Sequence, residues 1–206
     1  MAHAIRIHRH PLSGHAHRVE LFAGLAGIAH ELVDVDLLNG EHKKAPFLSL
    51  NPFGEVPVIE DGAVVVADSN AILVYLAKTY APDWLPETAE AAARVQRFLS
   101  IAAGPLRNGP ANARLVTVFG VKLDAAQAKA IADQILGQID THLADRDWLA
   151  GDTPSIADVA IYSYSAHAPE GNVSLAPFAN LRAWLQRVEA LEGFIPMQAS
   201  KAGLTA

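Results

Sequence analysis

The residues best placed to do chemistry lie in one stretch of turn, strand, tight turn, strand and helix start, from Asn51 to Ser69. Asn51-Pro52 and Phe53-Gly54 are turn punctuation. Val56 to Ile59 reads as a short strand, and Asp61-Gly62 between two apolar runs predicts a two-residue hairpin turn. Asp68-Ser69 offers side-chain oxygens where a helix from Asn70 begins. Pro57 is the odd residue, because proline gives up a ladder donor and belongs at a strand's first residue or an edge. A cis bond there would turn the Val56 backbone N–H and C=O outward. An outward peptide edge beside an anion-friendly helix start suits a peptide-like ligand.

Histidines are the other candidate chemistry, nine in all. His8 and His10 share a strand face, and His15 and His17 follow on the first helix. Four imidazoles of that kind invite zinc. The chain has no cysteine to accompany them, and the expectation is no metal.

These groups need elements to position them. Ala4 to His10 alternates, with Ile5 and Ile7 on one face, and predicts a first strand. Pro11-Leu-Ser-Gly14 breaks it, and from His15 apolar residues recur at helical spacing. Glu31 to Leu38 reads as a second strand, followed by a polar loop and a short helical turn from Pro46 to Leu50. After the hairpin, Asn70 to Tyr80 is helical, with Ile72, Leu73, Leu76 and Ala77 inward. The order is β-α-β, a helical turn, then β-β-α, and the first β-α-β should be parallel and right-handed.

Composition shifts after residue 80. Residues 81–86 are a proline-rich linker. From residue 87 to 206 the apolar periodicity is helical: Val95 to Leu106, Ala125 to Leu143, Ser155 to Ala168 and Phe178 to Leu191. Gly104-Pro105 should end or kink the first of these. The fold class is therefore α/β plus all-α, with residues 1–80 in the first domain and 87–206 in the second. Ser155-Ile-Ala-Asp158 reads as a capping box on a buried helix start, and losing the Asp158 cap should cost about 1–2 kcal/mol.

A chain of 206 residues, 51% hydrophobic, can bury a core without staples. The net charge of −6 disfavours nucleic-acid binding. No run approaches a membrane span, and the opening residues lack a signal peptide's apolar core. The lack of cysteine suits a reducing compartment.

Pro11-Leu-Ser13, Gly-Glu-His42-Lys43, Asn-Pro-Phe-Gly-Glu55-Val56-Pro57, Asp68-Ser69 and the Ser155 to Asp158 cap occur in an order that resembles a cytosolic glutathione S-transferase. The likeness is greatest to the serine-type classes phi, theta and zeta, and covers essentially the whole chain. Asp68 stands where Glu or Gln is commoner, and Glu55 where Gln is common. The resemblance implies a thioredoxin-like N-terminal domain and a helical C-terminal domain.

It further implies that Ser69 and the amides at its helix start take the γ-glutamyl carboxylate of glutathione, with Asp68 near the ammonium. The Val56 backbone, presented by Pro57, pairs with the cysteinyl peptide, and Glu55 lies in the same binding set. His42 and Lys43 hold the glycine carboxylate. Ser13 donates its hydroxyl to the sulfur, and Arg18, His10 and His15 lie near enough in sequence to tune it. Pro11, Leu12, Leu106, Asn108 and Tyr164 are the expected second-substrate residues, and Phe53 the expected dimer contact. The implied partners are a small electrophile and a second copy of the chain, with glutathione as co-substrate, in the cytoplasm and in detoxification. Two other uses of the fold stand beside conjugation: a non-catalytic binding or interaction role, and glutathione-dependent reduction of peroxides or disulfides.

Overall fold

The computed structural model describes residues 4–205. They form two compact units: one runs to Leu85 and takes in Glu192–Gln198, the other is Pro86–Leu191 with the tail from Ala199.

The first unit is built on a four-stranded sheet. Its strands are β1 (Ile5–Arg9), β2 (His30–Asp34), β3 (Val58–Asp61) and β4 (Val64–Ala67), in the order β2-β1-β3-β4. β1 and β2 are parallel, and helix α1 (Gly14–Leu25) connects them. β3 runs antiparallel to β1 with Ile59 opposite Ile7, and β4 antiparallel to β3. Helix α2 (Ala45–Leu50) precedes β3, and helix α3 (Ser69–Tyr80) follows β4.

Alternation in β1 decides what each face covers. Ile5, Ile7 and Ile59 are completely buried, as are Val19, Leu21 and Phe22 of α1 and Ile72, Leu73 and Leu76 of α3. The opposite parity belongs to a smaller cluster of Val35, Phe47 of α2 and Val58, with the His8 ring edge-on to Phe47.

Several boundaries differ from the sequence expectation, and β3 runs Val58–Asp61 rather than Val56 to Ile59. β2 stops at Asp34 rather than Leu38. The Asp36 carboxylate accepts from the backbone and side-chain N–H groups of Asn39, which turns the chain away from the ladder. The hairpin turn is Gly62-Ala63 rather than Asp61-Gly62, because Asp61 is still paired with Val64. Gly62 takes the left-handed φ of 60° that the first turn position requires.

Residues 192–198 complete the first unit. Gly24 near the end of α1 and Gly193 meet back to back, so a Cβ on Gly24 would lie 2.4 Å from the Gly193 carbonyl oxygen. The buried His17 bonds the Ile195 carbonyl oxygen through Nε2 at 2.8 Å, and Met197 is buried.

The second unit contains α4 (Ala89–Ala103), α5 (Asn112–Phe119), α6 (Ala125–His142), α7 (Ile156–Ala166) and α8 (Ala179–Glu189). α4 ends at Ala103, just before Gly104-Pro105. A wide π-type turn over Arg107–Ala111 carries Pro110, which has no N–H for an ordinary helical turn. Leu99, Leu106, Leu136, Ile139, Val159 and Trp184 are among its buried core residues.

The start of α7 is a saturated polar cluster. Asp158 Oδ1 accepts from Leu149 N and Trp184 Nε1, and Oδ2 from Ser155 N and Oγ. The capping box is therefore present, and two donors from outside it share the same carboxylate.

Candidate active site

Sheet topology gathers one set of chain segments. The C-terminal end of β1 lies beside the start of β3, since His8 pairs with Val58. The end of β4 lies there too, since Val58 also pairs with Ala67. The loop 10–13, residues 56–57 and residues 68–69 consequently emerge at one edge of the sheet. Two helices, α1 and α3, start from that edge.

Ser13 is the N-cap of α1. Its Oγ accepts from Ala16 N at 3.3 Å, which leaves the hydroxyl hydrogen to donate elsewhere. Its own N–H is fixed to the His10 carbonyl at 2.8 Å, and the residue is half-buried. Pro11 and Leu12, also half-buried, precede it in the loop. The Leu12 N–H donates to His10 Nδ1 at 3.3 Å, so that nitrogen is the acceptor of its ring.

The turn before β3 is organised by a buried asparagine. Asn51 Nδ2 donates to the Glu55 carbonyl and its Oδ1 accepts from Phe53 N. This side chain closes the turn that delivers Val56 and Pro57. The Val56–Pro57 peptide is cis, and Pro57 falls just ahead of Val58, the first residue with a ladder partner. Val56 packs on the Val35, Phe47 and Val58 cluster, while Glu55 and Phe53 are exposed.

His42 and Lys43 lie in a short 3-10 turn, Glu41–Lys43, that packs on this same segment. Lys43 Nζ donates to the Phe53 and Gly54 carbonyls at 3.2 and 2.8 Å. Gly54 has φ 60°, and a Cβ there would sit 2.7 Å from the His42 carbonyl oxygen. Burial, with the Lys43 charge beside it, lowers the His42 pKa and keeps the ring neutral. Its buried Nδ1 has no hydrogen-bond partner among the described residues.

At the start of α3, Asp68 is exposed and adopts φ 75°, ψ 124°. That is an unusual conformation for a non-glycine residue, of the kind that gathers at functional sites. Its Oδ1 accepts from both Asn70 N and Ala71 N at 2.9 Å. Ser69 is buried behind it, and its Oγ lies 3.2 Å from Arg18 Nη1 and 3.4 Å from His15 Nδ1. These contacts tie the start of α3 to the first turns of α1.

Ser13, His42, Lys43, Glu55, Val56, Pro57, Asp68 and Ser69 thus all belong to the first unit, on its gathered edge or on the loop packed against it. Leu106, Asn108 and Tyr164 belong to the second unit: Leu106 is completely buried, Tyr164 is buried on α7, and Asn108 is exposed. Sequence reasoning missed Asn51 as an organiser, although its place in an Asn-Pro-x-Gly turn was the signal. His8 bonds Glu60, His17 bonds the Ile195 carbonyl, and His15 contacts Arg18, so these rings serve separate neighbours. Among the described residues, no group of three or more His, Asp or Glu side chains is arranged to hold a metal ion. Among them, too, no helix is long and apolar enough to cross a membrane.

Comparison with known proteins assigns this architecture. Residues 12–79 match the family model "Glutathione S-transferase, N-terminal domain", and residues 119–192 match "Glutathione S-transferase, C-terminal domain". The chain is 32% identical over 203 residues to glutathione S-transferase 3 of Zea mays, covering 92% of this chain and 91% of that one. It is 34% identical over 186 residues to glutathione S-transferase theta-2 of Homo sapiens, covering 85% and 76%. The crystal structure of a glutathione S-transferase from Pseudomonas fluorescens superposes with a TM-score of 0.90 at 26% identity, covering 96% of this chain and 100% of that one. The chain belongs to the glutathione S-transferase family of enzymes. Its first unit carries the thioredoxin-like sheet and its second the helical domain of that family.

Proposed function

We propose that this protein binds glutathione on the gathered edge of the first unit, ionises its thiol beside Ser13, and transfers the thiolate to a small electrophilic carbon. The observation that carries the reading is the convergence of a hydroxyl at one helix start, a cis-proline peptide and a serine at a second helix start. Ser69 takes the γ-glutamyl carboxylate, and Asp68 lies near the ammonium. The Val56 backbone pairs with the cysteinyl peptide, with Glu55 beside it. His42, as a neutral donor, and Lys43, through its charge, hold the glycine carboxylate.

The chemistry asks little of the site. A free thiol has a pKa of about 8.5, and lowering it by about two units is worth roughly 2.7 kcal/mol. One hydroxyl hydrogen bond and the positive end of α1 are together of that size. The thiolate attacks the electrophile, the carbon–sulfur bond forms, and the leaving group departs with the electron pair. The reading includes Pro11, Leu12, Leu106, Asn108 and Tyr164 as second-substrate contacts, and a cytoplasmic, detoxifying role.

Ser13→Ala tests the central step. The ultraviolet absorbance of the bound thiolate should shift to higher pH, and turnover should fall by about 10²-fold or more. An unchanged thiol titration in the complex removes Ser13 from its role. A homodimer forms part of the same reading, supported by Phe53, which is 80% exposed despite its large apolar ring. Phe53→Asp should lower the mass seen by light scattering; an unaltered dimer would exclude this contact.

A further inference from the structure

The loop that carries Ser13 is tied together by His10. Residues 10–13 close a four-residue turn, in which the Ser13 N–H donates to the His10 carbonyl at 2.8 Å. A turn of that kind brings its first and fourth Cα atoms within about 7 Å of each other. The His10 ring therefore rides on the same turn as the Ser13 hydroxyl, and both residues are half-buried.

Bonding inside the turn decides which donors it can offer a second substrate. Pro11 has no N–H. The Leu12 N–H donates to His10 Nδ1 at 3.3 Å, and the Ser13 N–H is committed to the His10 carbonyl. The backbone of residues 11–13 is thus already used. In the glutathione reading the Ser13 hydroxyl hydrogen goes to the sulfur. A ring nitrogen that accepts carries no hydrogen, so the neutral His10 ring bears its hydrogen on Nε2.

Which electrophiles would use that N–H follows from where the negative charge lands. When an alkyl iodide is displaced, the charge departs with the iodide. When an epoxide is opened, the carbon–sulfur bond forms, the carbon–oxygen bond breaks, and the electron pair stays on an oxygen held by the neighbouring carbon. A hydrogen bond donated to that oxygen stabilises the alkoxide as it forms. The alkoxide then takes a proton from water, which balances the proton the thiol released.

We infer that His10, through Nε2–H, is the hydrogen-bond donor for second substrates whose charge develops on oxygen, and that epoxides are the substrate class it selects. The inference rests on the glutathione reading and deepens it by naming a class of electrophile.

Steady-state conjugation of glutathione to styrene oxide and to iodomethane tests it. His10→Leu should lower the ratio of the two kcat values, epoxide over iodide, about tenfold or more. The pH titration of the bound thiolate should stay at its wild-type position. His10→Gln, which keeps an N–H near the place of Nε2, should restore part of the ratio. His10→Phe covers the case of a leucine variant that does not fold. An unchanged ratio, or a fall accompanied by a shifted thiolate titration, overturns the inference while the glutathione reading stands. Wild-type protein that leaves styrene oxide unconjugated does the same. Wild-type protein that binds no glutathione overturns both.

Discussion

Two helix starts in this molecule carry the same pair of residue types, an aspartate and a serine, and use them oppositely. At the start of α7, Asp158 is 1% exposed and its two oxygens receive four hydrogen bonds from the chain itself. At the start of α3, Asp68 is exposed, uses one oxygen on two backbone amides, and sits in a left-handed conformation. Its neighbour Ser69 is oriented by a buried arginine from another helix rather than by its own helix start. A polar group whose valences are all satisfied within the chain specifies the fold. One with hydrogen-bonding capacity left over, held in place at some conformational cost, is suited to a ligand.

Substitutions separate the two roles. Asp158→Ala leaves Leu149 N, Ser155 N and Trp184 Nε1 without their acceptor, and should cost at least about 3 kcal/mol in urea unfolding. That exceeds the 1–2 kcal/mol expected of a cap alone, because two of the donors come from beyond the capping box. A loss no larger than a single cap would equate the two helix starts and break the contrast.

Glu170 supplies a second saturated carboxylate and a pH test. It accepts from Arg114 Nε at 2.6 Å, His167 Nδ1 at 2.7 Å, Ser200 N at 3.0 Å and Ser200 Oγ at 2.7 Å. Burial would raise its pKa, but the bonds from His167 and Ser200 and the Arg114 charge outweigh it and bring it down to about 2. A folded pKa below the ordinary carboxylate value contributes stability that is complete above that value and lost as pH falls towards about 2. The contribution is on the order of 3 kcal/mol. Glu170→Gln should flatten the acid limb of stability against pH, measured by denaturant midpoints. An unchanged acid limb would place the acid sensitivity elsewhere.

The smallest contrast is between the serines. Ser155→Ala should lower stability by about 1 kcal/mol. Ser69→Ala should alter stability by less than that and act mainly on ligand affinity. Equal stability losses in melting experiments would dissolve the distinction.

The sequence carried the local half of this account. The order of elements in the first unit, the inward faces of α3 and α4 and the Ser155 to Asp158 box are periodic or capping patterns, and each was legible within a few residues, whereas α5 (Asn112–Phe119) was not foreseen. The turn at Gly62-Ala63 was shifted by one because the register is set across the sheet, by Asp61 opposite Val64, and no dipeptide reports that. Trp184 reaches Asp158 from α8, and Arg18 reaches Ser69 from α1. Such partners are chosen by packing between distant segments, so the residues could be suspected singly while their pairing could not. Candidate site residues were found where a motif is compact, and Arg18 was read as a residue that tunes the sulfur, while its bond to Ser69 was not foreseen.

The glycine pair at Gly24 and Gly193 means that the sheet-bearing half is not a separable genetic cassette. Its last seven residues are encoded more than a hundred positions downstream, and they seat against α1 where no side chain fits. A gene cut after Leu85 would yield a half missing its own final stitch, with the back of α1 bared to water. Swapping such halves between relatives would have to carry that downstream stitch along.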